Sequence, residues 1–433
     1  MLITLMILVF ILGYIAIALE HNIKIDKAAT ALIIGGLTWA LFAFSGIDTH
    51  HINEHLTHHI VDIAEILFFL LGAMTIVELI DAHQGFTIIT NKITTNKRVP
   101  LMWILCGITF FFSAVLDNLT TAIVMSALIT RLIKEKEDIW LFAGMIILSA
   151  NAGGAWSPIG DITTIMLWIG GQVTASNIIP SVIIPSLVCA LVPLLYLSFK
   201  LNGNVIRPEE KELKEHSINP TSNFERNLVF SLGVIGLLFV PIFKTITNLP
   251  PYLGILLSLG ILWVTTEIIH RSKNYEQKSE LSVIGVLKKI DTATILFFLG
   301  ILLAVAALQS AGQLDIVAIY LNNTFNGQSV NGIYFINLII GLLSSIVDNV
   351  PLVAGAMGMY PTTQSGLYAV DGLFWEFLAY CAGTGGSVLI IGSAAGVALM
   401  GILKIDFMWY LKNISILALI GYLAGAITYI LIQ

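Results

Sequence analysis

The stretch Ser113–Met125, SAVLDNLTTAIVM, sets a carboxylate, an amide and two threonines inside a segment otherwise fit for lipid. A second version, Ser344–Met357, SSIVDNVPLVAGAM, makes the pattern a feature of the whole chain. A charge in hydrocarbon is costly unless it is paired, neutralised or faces a wet cavity, so an intramembrane acid is a functional candidate by default. The two Asp-Asn pairs therefore raise both the fold question and the function question.

The surrounding composition fixes the class. Of 433 residues, 57% are hydrophobic and 11% charged, and mean hydropathy is +0.90. A soluble domain carries about 25% charge, so this is an all-α polytopic membrane protein with no room for a large soluble domain. The net charge of −6 comes without a basic tract, which excludes a nucleic-acid partner. Cys106, Cys189 and Cys381 lie far apart in apolar segments, so they read as packing residues, with no disulfide framework and no cofactor motif. The first apolar run has no Lys or Arg before it and no small-residue cleavage site after it, so it reads as an uncleaved span.

Apolar runs between charged or Gly/Pro-rich breaks predict ten spans, near 2–19, 28–46, 60–80, 139–170, 178–199, 226–247, 251–270, 291–311, 372–400 and 411–431. Two further stretches, 100–133 and 331–359, hold the Asp-Asn pairs and are expected to be re-entrant hairpins. The positive-inside rule supports this. With the N-terminus outside and both stretches re-entrant, every Lys and Arg except Lys244 falls on one side, expected to be the cytoplasm. Both termini are then outside. The mixed-charge stretch 200–225 reads as a cytoplasmic linker without chemistry of its own.

The chain also repeats itself. Asp62–Leu79 matches Asp291–Leu308, Asp117 matches Asp348, and ANAGGAWSPIGD from Ala150 matches AGTGGSVLIIGS from Ala382. The offsets, 229, 231 and 232, are nearly constant. The traced topology makes the halves inverted. The expected organisation is an extra span at 1–27, a first repeat at 28–199, the linker, an extra span at 226–247 and a second repeat at 251–433. Inverted repeats with broken helices are the plan of secondary transporters, with the site between the repeats near mid-membrane.

Asp117 lies about 17 residues beyond the Lys97-Arg98 boundary, a depth near the membrane middle at about 1.5 Å per residue. Asp161 follows Gly153, Gly154, Pro158 and Gly160, which no continuous helix accommodates. Freed carbonyls, Asn151, Ser157, Thr163, Thr164 and Asp161 then offer hard oxygen ligands suited to Na⁺ or Li⁺. The second copy supplies Ser344, Asp348, Asn349, Thr384 and Ser387, with Ser393 in the place of Asp161. Three carboxylates, Asp117, Asp161 and Asp348, are expected to converge with no Lys or Arg in the spans to neutralise them. Such a site suits a cation, and in its absence protons; competition between the two under alternating access is antiport. Helix capping is the plainer role open to each acid. Glu65, opposite Thr294 in the repeat, is a candidate for a proton path. Glu78, Asp81, Glu267 and Glu376 read as interfacial, and His50–His59 as a wet polar loop with spacings that also allow metal binding or pH sensing.

At FFLLGAMTIVELIDAH, LDNLTTAIVM, GGAWSPIGDITTIMLW, VDNVP and GTGGSVLIIGSAAGVALMG the sequence resembles the NhaD-type sodium/proton antiporters of the ion transporter superfamily, over nearly the whole chain. The resemblance implies Na⁺(Li⁺)/H⁺ exchange in a bacterial inner membrane. It also implies a homodimer and a hairpin-bearing transport domain that moves against a scaffold. The family's polar site falls on Ser113, Asp117, Asn118, Asn151, Asp161, Thr163 and Thr164, and on Ser344, Asp348, Asn349, Thr384 and Ser387. The rival reading is an anion or metalloid transporter of the same plan, of the dicarboxylate or arsenite type. An enzyme is not expected, since no known intramembrane catalytic pairing is present.

Overall fold

The computed structural model describes residues 2–46, 49–90, 92–208 and 221–433. Among these the backbone is helical, with two isolated β-bridges. Besides the single turns Glu20–Ile23 and Thr87–Thr90, the helices of the first half are α1 (Leu2–Ala18), α2 (Lys27–Ala43), α3 (Thr49–Ala82), α4 (Arg98–Leu116), α5 (Asn118–Leu132), α6 (Lys136–Ala155), α7 (Ile162–Ile169) and α8 (Ala175–Lys200). The second half holds α9 (Asn223–Thr247), α10 (Pro251–Ile269), α11 (Thr292–Ser310), α12 (Gln313–Phe325), α13 (Val330–Leu343) and α14 (Asn349–Met359). It ends with α15 (Leu373–Gly385), α16 (Ala394–Leu403), α17 (Phe407–Asn413) and α18 (Ser415–Ile432).

Among the described residues, 8 helices are long and apolar enough to cross a membrane. Seven of them coincide with expected spans. The other is α4, the first arm of the 100–133 stretch, whose length alone does not distinguish a crossing from a return. Hydrogen bonds settle the matter. At the start of α4, Val205 N–H donates to Asn96 O (2.8 Å) and Arg98 N–H to Gly203 O (3.1 Å). Just past the end of α5, Lys134 N–H donates to Ile206 O (2.8 Å). Both ends of the pair thus meet one extended segment, so the chain leaves on the side it entered. Residues 209–220 of the expected linker lie outside the described residues, while 201–207 form this clasp.

The second stretch does the same elsewhere. Tyr360, after α14, donates its hydroxyl to Asn322 Oδ1 (3.3 Å), and Tyr368 to Gly327 O (3.0 Å), beside the start of α13. The faces are opposite. Asp81, at the end of α3, shares a cleft with Arg131 of α5, while His58, near the start of α3, shares one with Met357 of α14. One helix therefore reaches the root of each hairpin, and the two hairpins are inverted.

Three expectations change. The His50–His59 stretch is the first part of helix α3 rather than a loop. The sequence reading missed α12, an amphipathic helix whose Ile316, Ile319 and Tyr320 are exposed. The last span is preceded by α17, which turns 119° from α16. Through the centre run α6 and α15. Ala143–Ala155 and Phe374–Gly385 are buried throughout, as expected of helices apolar on every face.

Candidate cation site

The two broken helices make the site. Glycine, with no side chain, lets each hairpin lie directly on its partner. A Cβ on Gly153 would sit 2.2 Å from Phe110 O of α4, and one on Gly385 would sit 2.0 Å from Gly341 O of α13. Serines then tie hairpin to helix in the same register. Ser113 Oγ donates to Ala150 O (2.5 Å), and its repeat mate Ser344 donates to Ala382 O (2.9 Å). Ser157 Oγ donates to Ala114 O (2.5 Å). These hydroxyls are buried and hold the backbone together, which makes them positioning groups rather than free ligands.

Asp161 is 1% exposed and begins α7. Its Oδ1 accepts from Thr163 N–H (2.8 Å) and Thr163 Oγ1 (2.5 Å). From the first hairpin tip, Asn118 Nδ2 donates to Oδ2 (2.5 Å), and from the second tip Asn349 Nδ2 donates to Oδ1 (3.4 Å). One carboxylate thus receives the asparagine of both Asp-Asn pairs. Asn151 extends the network: its Oδ1 accepts from Asn118 (3.1 Å), and its Nδ2 donates to Ser387 and Ser393, each at 2.9 Å. Thr164 Oγ1 donates across the break to Ala155 O of α6 (3.3 Å), and Thr384 Oγ1 to Tyr380 O of its own helix (2.6 Å), so both bind backbone carbonyls.

The three carboxylates share no hydrogen bond with one another, yet the charge of Asp161 acts on Asp117 and that of Asp348 on Asp161, so they gather about one centre without touching. Asp117 has φ 75 and ψ 162, a region seldom used by residues with a side chain. Its two oxygens accept from Thr120 N–H (2.7 Å) and Thr120 Oγ1 (2.8 Å). The residue lines a narrow cleft with Phe69, Met74 and Ile255. Asp348 caps α14 through Val350 N–H (3.2 Å) and turns its other oxygen to Lys27 Nζ at 3.6 Å. That ammonium also lies 4.5 Å above the Phe297 ring. The expectation of uncompensated acids therefore fails at Asp348. Lys27 reads in the sequence as a loop residue, but it opens α2 and reaches the hairpin tip.

Glu65 lies apart from this centre, in a cavity of about 430 Å³ that opens on the face opposite Arg98 and reaches Met166 of α7 and Ala354 of α14. Two buried features escaped the sequence reading. Glu376 is 4% exposed rather than interfacial, and accepts from Asn177 Nδ2, Tyr429 Oη (2.8 Å) and Gln433 Nε2 (3.3 Å). The available signal was its place in an otherwise aromatic segment. His83 and His270, both buried, join the halves through Nε2···Nε2 at 2.7 Å. No local pattern marks that pair, because the two residues are 187 apart.

The citrate transporter family model matches residues 7–376. Sodium/proton antiporter 1 of Arabidopsis thaliana is 44% identical over 99% of this chain and 72% of its own length. Sodium/proton antiporter 2 of the same plant is 41% identical over 99% of both chains. The Na(+)/H(+) antiporter NhaD of Vibrio cholerae is 29% identical over 98% of this chain and 91% of its own. Matched almost end to end at such identities, the chain belongs to the citrate transporter family, in the branch that holds these sodium/proton antiporters.

Proposed function

We propose that the protein is a secondary antiporter that exchanges cytoplasmic Na⁺, or Li⁺, for external H⁺, with Asp161 as the shared ligand. The observation that carries the reading is the environment of Asp161: a buried acid whose hydrogen-bond partners are neutral amides and hydroxyls from both halves. A buried carboxylate without a counter-charge is unstable. A proton or a small cation neutralises it, and one excludes the other. Asn118 and Asn349 suit both states. Their NH₂ groups face the carboxylate; rotated by half a turn, their carbonyl oxygens would face a cation. Asp117 and Asp348, each held at its own helix cap, set the hairpin tips and the surrounding field.

The names of the antiporter relatives support this reading. The positive-inside rule supports a cytoplasmic Arg98 face with both termini outside; a bacterial inner membrane is what the resemblance to the NhaD-type antiporters implies. The homodimer and the hairpin-bearing moving domain belong to the same proposal. Purified protein in proteoliposomes should dissipate a ΔpH on addition of Na⁺, and Asp161→Asn should abolish that response. Normal exchange by the variant would sink the mechanism.

One observation favours an anion instead. The N-termini of α5, α7, α14 and α16 gather around the breaks, and helix N-termini attract anions. Asp161 already fills that focus and would repel a citrate-like substrate. Uptake of labelled citrate that survives in Asp161→Asn liposomes would reverse the assignment.

A further inference from the structure

The face opposite Arg98 carries a second group of ligating side chains, outside the exchange site. On the outer turns of α3, ligand atoms of His58, His59 and Asp62 all lie within 4.8 Å of one another. His58 Nδ1 is 3.5 Å from Asp62 Oδ2, at helical spacing i,i+4, and His59 Nε2 is held 3.2 Å from Ser310 Oγ of α11. His58 and His59 line a cavity of about 580 Å³ together with Glu54, His55 and Asp315. No Lys or Arg is among the residues lining that cavity, so its field favours a cation. It adjoins the cavity that holds Glu65, and His58 and His59 line both.

We propose that His58, His59 and Asp62 form a binding site for one divalent first-row transition-metal ion of the Zn²⁺, Co²⁺ or Ni²⁺ class, at the mouth of the cavity leading to Glu65. Two imidazoles and a carboxylate match the borderline softness of these ions, whereas Na⁺, Mg²⁺ and Ca²⁺ prefer oxygen alone. Positions 58 and 62 share one face of the helix, and position 59 stands beside them one turn above 55. Three protein ligands leave a fourth place, which His55, Asp315 or water fills. The reading is independent of which ion the protein exchanges, because neither these residues nor their contacts belong to the Asp161 network.

Tag-free full-length protein in detergent should bind one Zn²⁺ per chain by equilibrium dialysis, and Co²⁺ should give the visible absorption of a four-coordinate site. The double variant His58→Gln/His59→Gln should lose both signals. Asp62→Asn should weaken binding by about tenfold or more, as loss of a metal-site partner does. His58 and Asp62 side chains are 79% and 64% exposed, so changing them leaves the fold intact; His59 is half-buried beside Trp39 and Ser310, so gel filtration and the single variant His58→Gln accompany the double variant. Zn²⁺ binding unchanged in the double variant, or binding that never saturates near one ion per chain, would overturn the proposal. His270→Gln, on the opposite face, should leave Zn²⁺ stoichiometry at one; a matching loss there would also overturn it.

Discussion

Asp161 and Ser393 occupy the same place in the two halves and share a backbone, φ −144, ψ 142 against φ −142, ψ 152. Each caps the helix that follows a glycine-rich break. The chemistry differs: the Ser393 hydroxyl accepts from Gly396 N–H (3.2 Å) and from Asn151, while the Asp161 carboxylate takes the amides of both hairpins. A neutral cap is enough to start a helix. The charge at Asp161 is therefore not required by the fold, and the difference between the halves separates scaffold from site.

The largest effect should fall on that difference. Asp161→Asn keeps an N-cap and removes the charge, so Na⁺-driven proton release in liposomes should vanish while the thermal midpoint holds. Retained exchange would make the two halves chemically equivalent. Next come the asparagines. Asn118→Ala removes the carbonyl oxygen that would turn to the cation, an interaction with a charge worth about 1.5–3 kcal/mol, so the apparent KM for Na⁺ should rise about tenfold or more. Asn349, at the longer distance of 3.4 Å, should matter less. An equal or larger effect at Asn349 would place the cation closer to the second hairpin.

Scaffold positions should behave alike in both halves. Gly153→Ala and Gly385→Ala each drive a methyl into a carbonyl of the facing hairpin, and overpacking of this kind costs about 1–3 kcal/mol. Both should lower the midpoint by similar amounts; a fall in one alone would show that only one hairpin is packed this tightly in solution. The smallest transport effect should come from Asp348→Asn. Asp348 lies outside the hydrogen bonds of Asp161, and Asn keeps the cap on Val350 N–H, so exchange should drop less than about fivefold. Abolished exchange would return Asp348 to the centre of the mechanism.

The joint between the halves should respond to pH. His83 Nδ1 faces Leu79 O at 2.7 Å, a carbonyl that only accepts, so His83 donates there and its Nε2 accepts from His270. His270 Nδ1 is then left facing Glu225 Oε1 at 3.8 Å, and Lys273 pairs with Glu225 at 2.7 Å. Burial first, then Lys273 and His83, push His270 down to about 4 from its ordinary 6.5, and burial also lowers His83. The unfolded chain binds more protons in that window, so stability is full above about pH 6.5 and falls as pH drops toward 4. The midpoint of detergent-solubilised protein should decline from pH 7 to pH 5, less steeply in His270→Gln. Parallel profiles would remove the pair from the joint.

Much of the scaffold is legible in the chain because it is local. Asp117 and Asp348 follow apolar runs and precede helix formers, so the hairpin tips announce themselves. Gly153, Gly154, Pro158 and Gly160 announce the break, and the constant offset announces the duplication. Lys27 and Glu376 show where this reading stops. Lys27 reads as a loop residue and Glu376 as interfacial, yet one reaches a hairpin tip and the other is buried between α8, α15 and α18. Hydropathy records how apolar a segment is, not what lies across from it.

By itself the sequence determined a membrane-spanning duplicated helical chain, its hairpins, its broken helices and the set of polar residues at the breaks, because lipid forces backbone satisfaction within each segment and tolerates polar groups only at special places. Only the tertiary structure decided how those residues divide the work. Asn118 and Asn349 meet Asp161, Asp117 turns back on Thr120, and Asp348 turns to Lys27. The directions of Asp161 and Asp348 depend on partners 43 to more than 300 residues away in the chain, and no local pattern encodes that choice.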